Sequence, residues 1–253
     1  MNKTVLITGA TSGIGLACAK KFAAHGNNLV ITGRRIERLE NISASLQQEY
    51  GIKVKTLNMD VRRKEDVFSA IESLTADWSK IDILINNAGL AVGLGTIQEG
   101  ETDDWERMID TNIKGLLYVS RAVLPGMVAR KSGHVINIGS IAGKEVYPNG
   151  NVYCGTKFAV DALTKAIRID TVQAGIKVTQ IAPGAVETEF SIVRFKGDKE
   201  KADSVYKGFE PLHPEDIADS VFYVTTLPKH VNINDMLIMP TAQASAAILH
   251  KEL

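Results

Sequence analysis

Tyr153 and Lys157 stand four residues apart in "NVYCGTKFAV" (Asn151 to Val160), at the start of an apolar pattern with helical spacing. Positions i and i+4 stack on one helix face, so a helix here projects a phenol and an ammonium into the same space. A free phenol, with a pKa of about 10, is a poor proton donor or acceptor at neutral pH. A neighbouring positive charge favours the phenolate and improves the match. The spacing also occurs in ordinary helices, where the tyrosine packs in the core and the lysine stem lies along apolar surface.

A second chemical signal follows the first apolar run. "TGATSGIG" (Thr8 to Gly15) leads from a strand pattern into a helix pattern. Gly9, Gly13 and Gly15 let backbone approach a pyrophosphate and present it with helix N-terminal amides. In open α/β sheets ligands sit at the carboxyl ends of the strands, where this turn lies. The spacing is G-x-x-x-G-x-G, which differs from the standard dinucleotide fingerprint. A tight turn without a ligand would use the same glycines.

The end of the second strand bears on which dinucleotide would bind. An NAD site places an acidic residue there for the ribose 2′-OH. This chain reads "VITGRR", with Gly33 followed by Arg34 and Arg35. Guanidinium suits phosphate in shape and charge, and both arginines stand where a helix begins, an end that disfavours cations. The pattern favours NADP over NAD.

The elements that must position these groups alternate along the chain. Strands are expected at Lys3–Thr8, Asn28–Thr32, Lys53–Met59, Ile81–Asn86, His134–Gly139, Lys177–Ala182 and Asp235–Pro240. Several are almost wholly apolar, as parallel strands covered on both faces are. Helical patterns fill Gly13–His25, Arg35–Tyr50, Lys64–Ser79, Asp103–Lys131, Asn151–Ala174 and Pro214–Leu227. Alternation throughout implies an α/β fold: one doubly wound, Rossmann-type domain over residues 1–253, with a central, mostly parallel sheet of seven strands. Residues 187–208, rich in charge and glycine and too long for a routine connection, read as an irregular substrate lid.

Composition excludes other classes. The 253 residues are 45% hydrophobic and 23% charged, ordinary for a globular protein. The 29 basic and 29 acidic residues cancel, so no global field points to nucleic acid or membrane as a partner. Two cysteines, Cys18 and Cys154, make no disulfide framework and read as reduced thiols. The opening "MNKTVLITGA" enters a strand pattern without the apolar core of a signal peptide, and no run is long enough to span a membrane. A cytoplasmic protein with a small-molecule substrate and no metal is the expectation.

"TGATSGIG", "NNAG" (Asn86 to Gly89), Ser140 with Tyr153-x-x-x-Lys157, and Pro183-Gly184 stand in that order. The chain therefore resembles the short-chain dehydrogenase/reductase family along essentially its whole length. "GRRIERL", "NVYCGTK", "TEFSIVRFKGD" and "HVNINDMLIMPTAQAS" are further similar to its NADP-dependent 3-hydroxy acid dehydrogenase branch, which contains serine and allo-threonine dehydrogenases. The resemblance implies that Tyr153 exchanges a proton with the substrate oxygen. Lys157 would bind the nicotinamide ribose and lower the phenol's pKa, Ser140 would hydrogen-bond the substrate oxygen, and Asn112 would hold a relay water. It further implies that Gly9, Thr11, Ser12, Gly13, Ile14 and Gly15 face the cofactor, with Arg34 and Arg35 at its 2′-phosphate. Asp60 and Val61 would meet the adenine and Asn87 the adenine-side ribose. Pro183, Gly184, Val186 and Thr188 would hold the carboxamide. Family members are commonly tetramers joined through the long helices after the fourth and fifth strands, and a homotetramer is expected here.

Plainer roles exist for most of these residues. Ser140 could cap a turn, Asn112 could satisfy a bent helix, and "NNAG" could simply end a strand. Arg194, in the lid, is read as the partner of a substrate carboxylate, against an exposed lid charge. The leading function is NADP-dependent interconversion of a small 3-hydroxy acid or secondary alcohol with its carbonyl. The alternatives are a broad reductase of uncharged ketones and diketones, or a non-catalytic NADP-sensing module.

Overall fold

The structure, a computed structural model, describes residues 2–252. Seven strands form one sheet: β1 (Thr4–Ile7), β2 (Asn28–Gly33), β3 (Val54–Asn58), β4 (Ile83–Asn86), β5 (His134–Ile138), β6 (Lys177–Pro183) and β7 (Asp235–Ile238). Their order is β3-β2-β1-β4-β5-β6-β7, and every pairing is parallel. All strand boundaries fall within two residues of those expected from the apolar runs.

Alternate residues feed two cores. Val5, Ile7, Leu29 and Ile31 pack on one face, whereas Leu6, Val30, Leu84 and Val135 pack on the other. The period of two along each strand sends neighbours to opposite faces, and both faces are covered, so the runs are apolar throughout. Helix α1 (Gly13–Ala24) covers the first face, and its Phe22 meets Phe222 of a later helix edge-on at 5.3 Å.

The helical expectations need three corrections. Lys64–Ser79 is two helices, α3 (Lys64–Glu72) and α4 (Ala76–Ser79), after α2 (Ile36–Tyr50). Asp103–Lys131 is α5 (Thr102–Ile109), a π-helical turn at Asp110–Lys114, and α6 (Gly115–Arg130). The pattern to Ala174 is α7 (Asn151–Thr171) closed by a 3₁₀ turn at Val172–Ala174. The lid is also less irregular than expected, since it contains α8 (Phe190–Arg194) and α9 (Lys199–Ser204) before α10 (Pro214–Thr226). Among the described residues no helix is long and apolar enough to cross a membrane.

The strand order reverses between β1 and β4, which opens a crevice at their carboxyl ends. Two loops meet there. The Asn87 amide nitrogen donates to the carbonyls of Thr8 and Gly9 at 2.9 and 3.2 Å. In return the Thr8 hydroxyl accepts from the backbone of Asn87 and Ala88, each at 3.0 Å. The "NNAG" segment thus fastens the glycine-rich turn as well as ending a strand.

Candidate active site

The turn after β1 enters α1 so closely that Gly15 has no room for a side chain. A Cβ there would lie 2.4 Å from the Gly9 carbonyl oxygen and 2.5 Å from the Asn87 amide. The backbone can therefore approach a ligand only because this position is glycine. Above the turn lies a cavity of about 670 Å³. Gly9, Thr11, Ser12, Gly13, Ile14, Arg34, Arg35, Asp60, Val61 and Asn87 line one end. Ser140, Tyr153, Lys157, Pro183, Gly184, Val186, Thr188 and Arg194 line the other. Of the residues singled out from sequence, Gly15 and Asn112 are not on the wall; they hold the backbone behind it.

Tyr153 and Lys157 both lie in the first two turns of α7 and are buried. The Lys157 ammonium donates to the Ile138 carbonyl at the end of β5, at 2.9 Å, and stands 6.0 Å from the centre of the Tyr153 ring. Burial pulls Lys157 down to about 8 and pushes the Tyr153 phenol up from its ordinary value. Proximity of Tyr147 raises the phenol further, while a hydrogen bond from Ser140 and the charge of Arg194 pull it back. Lys157 stands beside the phenol but bonds elsewhere. Its ammonium is turned toward a carbonyl, and dehydration outweighs the nearby charges.

Ser140 caps the 3₁₀ turn Ile141–Gly143, its hydroxyl oxygen accepting from the Ala142 amide at 3.1 Å. The hydroxyl proton is left over from the cap and serves the hydrogen bond to the Tyr153 phenol. The turn packs tightly on α7, since a Cβ at Gly143 would come within 2.6 Å of the Lys157 carbonyl. Asn112 sits in the π-helical turn. Its oxygen accepts from Leu90 N at 2.9 Å, and its nitrogen donates to Leu90 O at 2.8 Å and to the Thr156 hydroxyl at 3.0 Å. Both capping and backbone-holding roles are present, and they leave Ser140 a donor and Asn112 an oxygen lone pair.

At the adenosine end, Arg35 reaches back to the glycine-rich turn, donating to the hydroxyls of Thr11 at 2.7 Å and Ser12 at 3.2 Å. Arg62 donates to Asp60 through its Nε at 3.0 Å. Partial burial raises the Asp60 carboxyl, but hydrogen bonds from Arg62 and the charge of Arg34 hold it below the usual range. Two residues that sequence reasoning did not single out also lie here. Arg38, in the first turn of α2, and Glu189, at the start of the lid, form an ion pair at 3.1 Å.

Arg194 is not an exposed lid charge. Its guanidinium lies 5.4 Å over the Tyr147 ring and 5.5 Å over that of Tyr153, with a hydrogen bond to the Tyr147 hydroxyl. Phe190 meets the Tyr153 ring edge-on at 5.7 Å. The Arg194 Nε and the Thr111 hydroxyl are buried with no hydrogen-bond partner among the described residues, and both residues border the cavity. An unpaired buried donor calls for a ligand group or water. Tyr147 and Phe190 carry no periodic signal in the sequence, because their contacts are made across loops.

A single parallel sheet with a glycine-rich turn at its switch point, and a buried tyrosine and lysine on one helix, define a nucleotide-cleft oxidoreductase scaffold. The chain belongs to the short-chain dehydrogenase family, whose model matches residues 3–199. The NADP-dependent 3-hydroxy acid dehydrogenase YdfG of Salmonella typhi is 49% identical over 245 residues, 96% of this chain and 97% of that protein. Sulfoacetaldehyde reductase 2 of Chromohalobacter salexigens is 44% identical over 248 residues, 98% of either chain. A solved structure, the closed form of serine dehydrogenase complexed with NADP⁺, is 46% identical and matches with a TM-score of 0.92. That match covers 98% of this chain and 100% of the other.

Proposed function

We propose that this protein is an NADP-dependent oxidoreductase that interconverts a small 3-hydroxy acid with its carbonyl form. The observation that carries the reading is the placement of Tyr153, which is buried in the cleft wall. Lys157 lies one turn along α7, Ser140 bonds its phenol, and the Arg194 guanidinium lies 5.5 Å over its ring. A carboxylate held by Arg194 sets a neighbouring hydroxyl-bearing carbon beside the phenol.

The cleft fits a phosphorylated dinucleotide. Its backbone at Gly9–Gly15 admits no side chain at Gly15, and arginines stand at the end of β2 in place of a carboxylate. Gly9, Thr11, Ser12, Gly13 and Ile14 would hold the pyrophosphate, and Arg34 and Arg35 the 2′-phosphate. Asp60 and Val61 would hold the adenine, Asn87 its ribose, and Pro183, Gly184, Val186 and Thr188 the carboxamide. The bound nicotinamide supplies or accepts the hydride. Ser140 turns its hydrogen bond from the phenol to the substrate oxygen, and Tyr153 gives or takes the reacting proton. Lys157 uses one of three donors on Ile138 and keeps two for the nicotinamide ribose. The spare lone pair of Asn112 holds a water beside it, completing a path for protons to solvent.

Initial rates with NADP and NAD in parallel test this reading. Serine, allo-threonine and 3-hydroxybutyrate should turn over with NADP, and better than their methyl esters. Equal rates with acid and ester would remove the carboxylate partner and leave a reductase of uncharged carbonyls. A sulfonate-bearing aldehyde is the second reading. Guanidinium also donates to the anionic oxygens of a sulfonate, and a relative 44% identical bears the name sulfoacetaldehyde reductase 2.

Assembly and location belong to the same proposal. Leu117 and Val128 on α6 and Phe158 and Ile169 on α7 are exposed apolar side chains, which supports a homotetramer joined through these helices. Cys18 and Cys154 are buried, unpaired thiols, which suits the cytoplasm.

A further inference from the structure

Glu189 is the residue before α8, on the lid side of the cleft. Its carboxylate reaches across to the adenosine side, where Arg35 Nη1 lies 3.2 Å from one oxygen and Arg38 Nη1 3.1 Å from the other. Arg35 Nε and Nη2 donate to the hydroxyls of Thr11 and Ser12 in the glycine-rich turn. One carboxylate thus occupies guanidinium faces at the place where the dinucleotide's 2′-phosphate would seat. The cluster is open to solvent, with the Glu189 side chain 47% exposed.

Two anions beside the same guanidinium groups weaken each other's hold, because each reduces the positive potential the other meets. NADP brings a phosphate there, whereas NAD brings an uncharged hydroxyl. We propose that Glu189 is a specificity-determining residue: it competes with the 2′-phosphate for Arg35 and Arg38, and so limits selectivity for NADP over NAD. This inference rests on the NADP reading above. Coupling is reciprocal, so a seated phosphate also loosens the tether at the start of α8. Arg194 stands at the other end of that five-residue helix.

Glu189→Gln keeps the size and hydrogen-bonding capacity of the side chain and removes its charge. The dissociation constants of NADPH and NADH are measured by nicotinamide fluorescence for both proteins, at low and high salt. Any general loosening of the lid affects both cofactors and cancels in their ratio. The NADH-to-NADPH ratio of dissociation constants should rise roughly two- to fivefold in the variant, the scale of an exposed charge pair. The gain should shrink at high salt. A wild-type preference for NADPH with an unchanged or smaller ratio in the variant overturns the role of Glu189 alone. A wild-type protein with no preference for NADPH overturns the cofactor reading, and this inference with it.

Discussion

The Lys157 ammonium points at the Ile138 carbonyl, 2.9 Å away, and lies 6.0 Å from the ring centre of Tyr153, its neighbour one helical turn earlier. The strand end therefore holds the lysine in place, at the lip of the cofactor cleft. Placing an ammonium in a dry wall disfavours its charged form, which is why its pKa falls from 10.5 to about 8.

That burial has a consequence for stability. Between pH 8 and 10.5 the unfolded lysine carries a proton that the folded one has lost, so wild-type stability rises with pH across this window. Below pH 8 the protein carries the whole penalty, roughly 3 kcal/mol. Lys157→Met should raise the midpoint of urea unfolding at pH 7 while abolishing turnover. The gain should shrink as pH approaches 10. Destabilisation at pH 7 would mean that the bond to Ile138 outweighs dehydration.

His134 opens β5, buried, with its Nε2 2.8 Å from the Thr179 hydroxyl. Burial holds it down to about 3, and Lys177 and Lys3 add to the effect. Between pH 6.5 and 3 the unfolded histidine binds a proton that the folded one refuses, so this contribution is intact above 6.5 and lost as pH falls. By pH 4.5 the loss should reach roughly 2–3 kcal/mol. Urea unfolding at pH 7 and 4.5 should show His134→Gln losing less stability than wild type by about that amount. Identical losses would place the acid sensitivity elsewhere.

Arg194 should divide substrates by charge. Arg194→Met should raise KM for a hydroxy acid at least about tenfold, the size of a lost charge-assisted pair. KM for the corresponding methyl ester should stay within about twofold, and kcat should change less than KM. A parallel loss on acid and ester would make Arg194 a packing residue between Tyr147 and Tyr153.

Much of this site is legible in the sequence because its signals are local. The apolar runs of β1, β4 and β5, the turn Gly9–Gly15 and the Tyr153–Lys157 spacing each express a period or a backbone demand within a few residues. What stays hidden depends on contacts between distant segments. The break at Asp110–Lys114 leaves no composition signal, because apolar periodicity continues through it into α6. Its function shows only when Asn112 is seen holding Leu90. The partner of Lys157 is a carbonyl 19 residues away in β5, which no side-chain pattern reports. Helices α8 and α9, of five and six residues, are too short for a period of 3.6 to emerge. Glu189 and Arg38 read as solvated charges until the fold brings them together across a separation of 151 positions.

The proton-transfer role of Tyr153 is the centre of the account, and removing one oxygen atom tests it. Tyr153→Phe should cut kcat with a hydroxy acid by about 10²–10⁴-fold, the range of general acid–base catalysis. NADPH affinity by fluorescence titration should remain within about twofold of wild type, since the other cleft residues are untouched. A variant that binds NADPH normally and turns over within tenfold of wild type would contradict the account, and another group would have to move the proton.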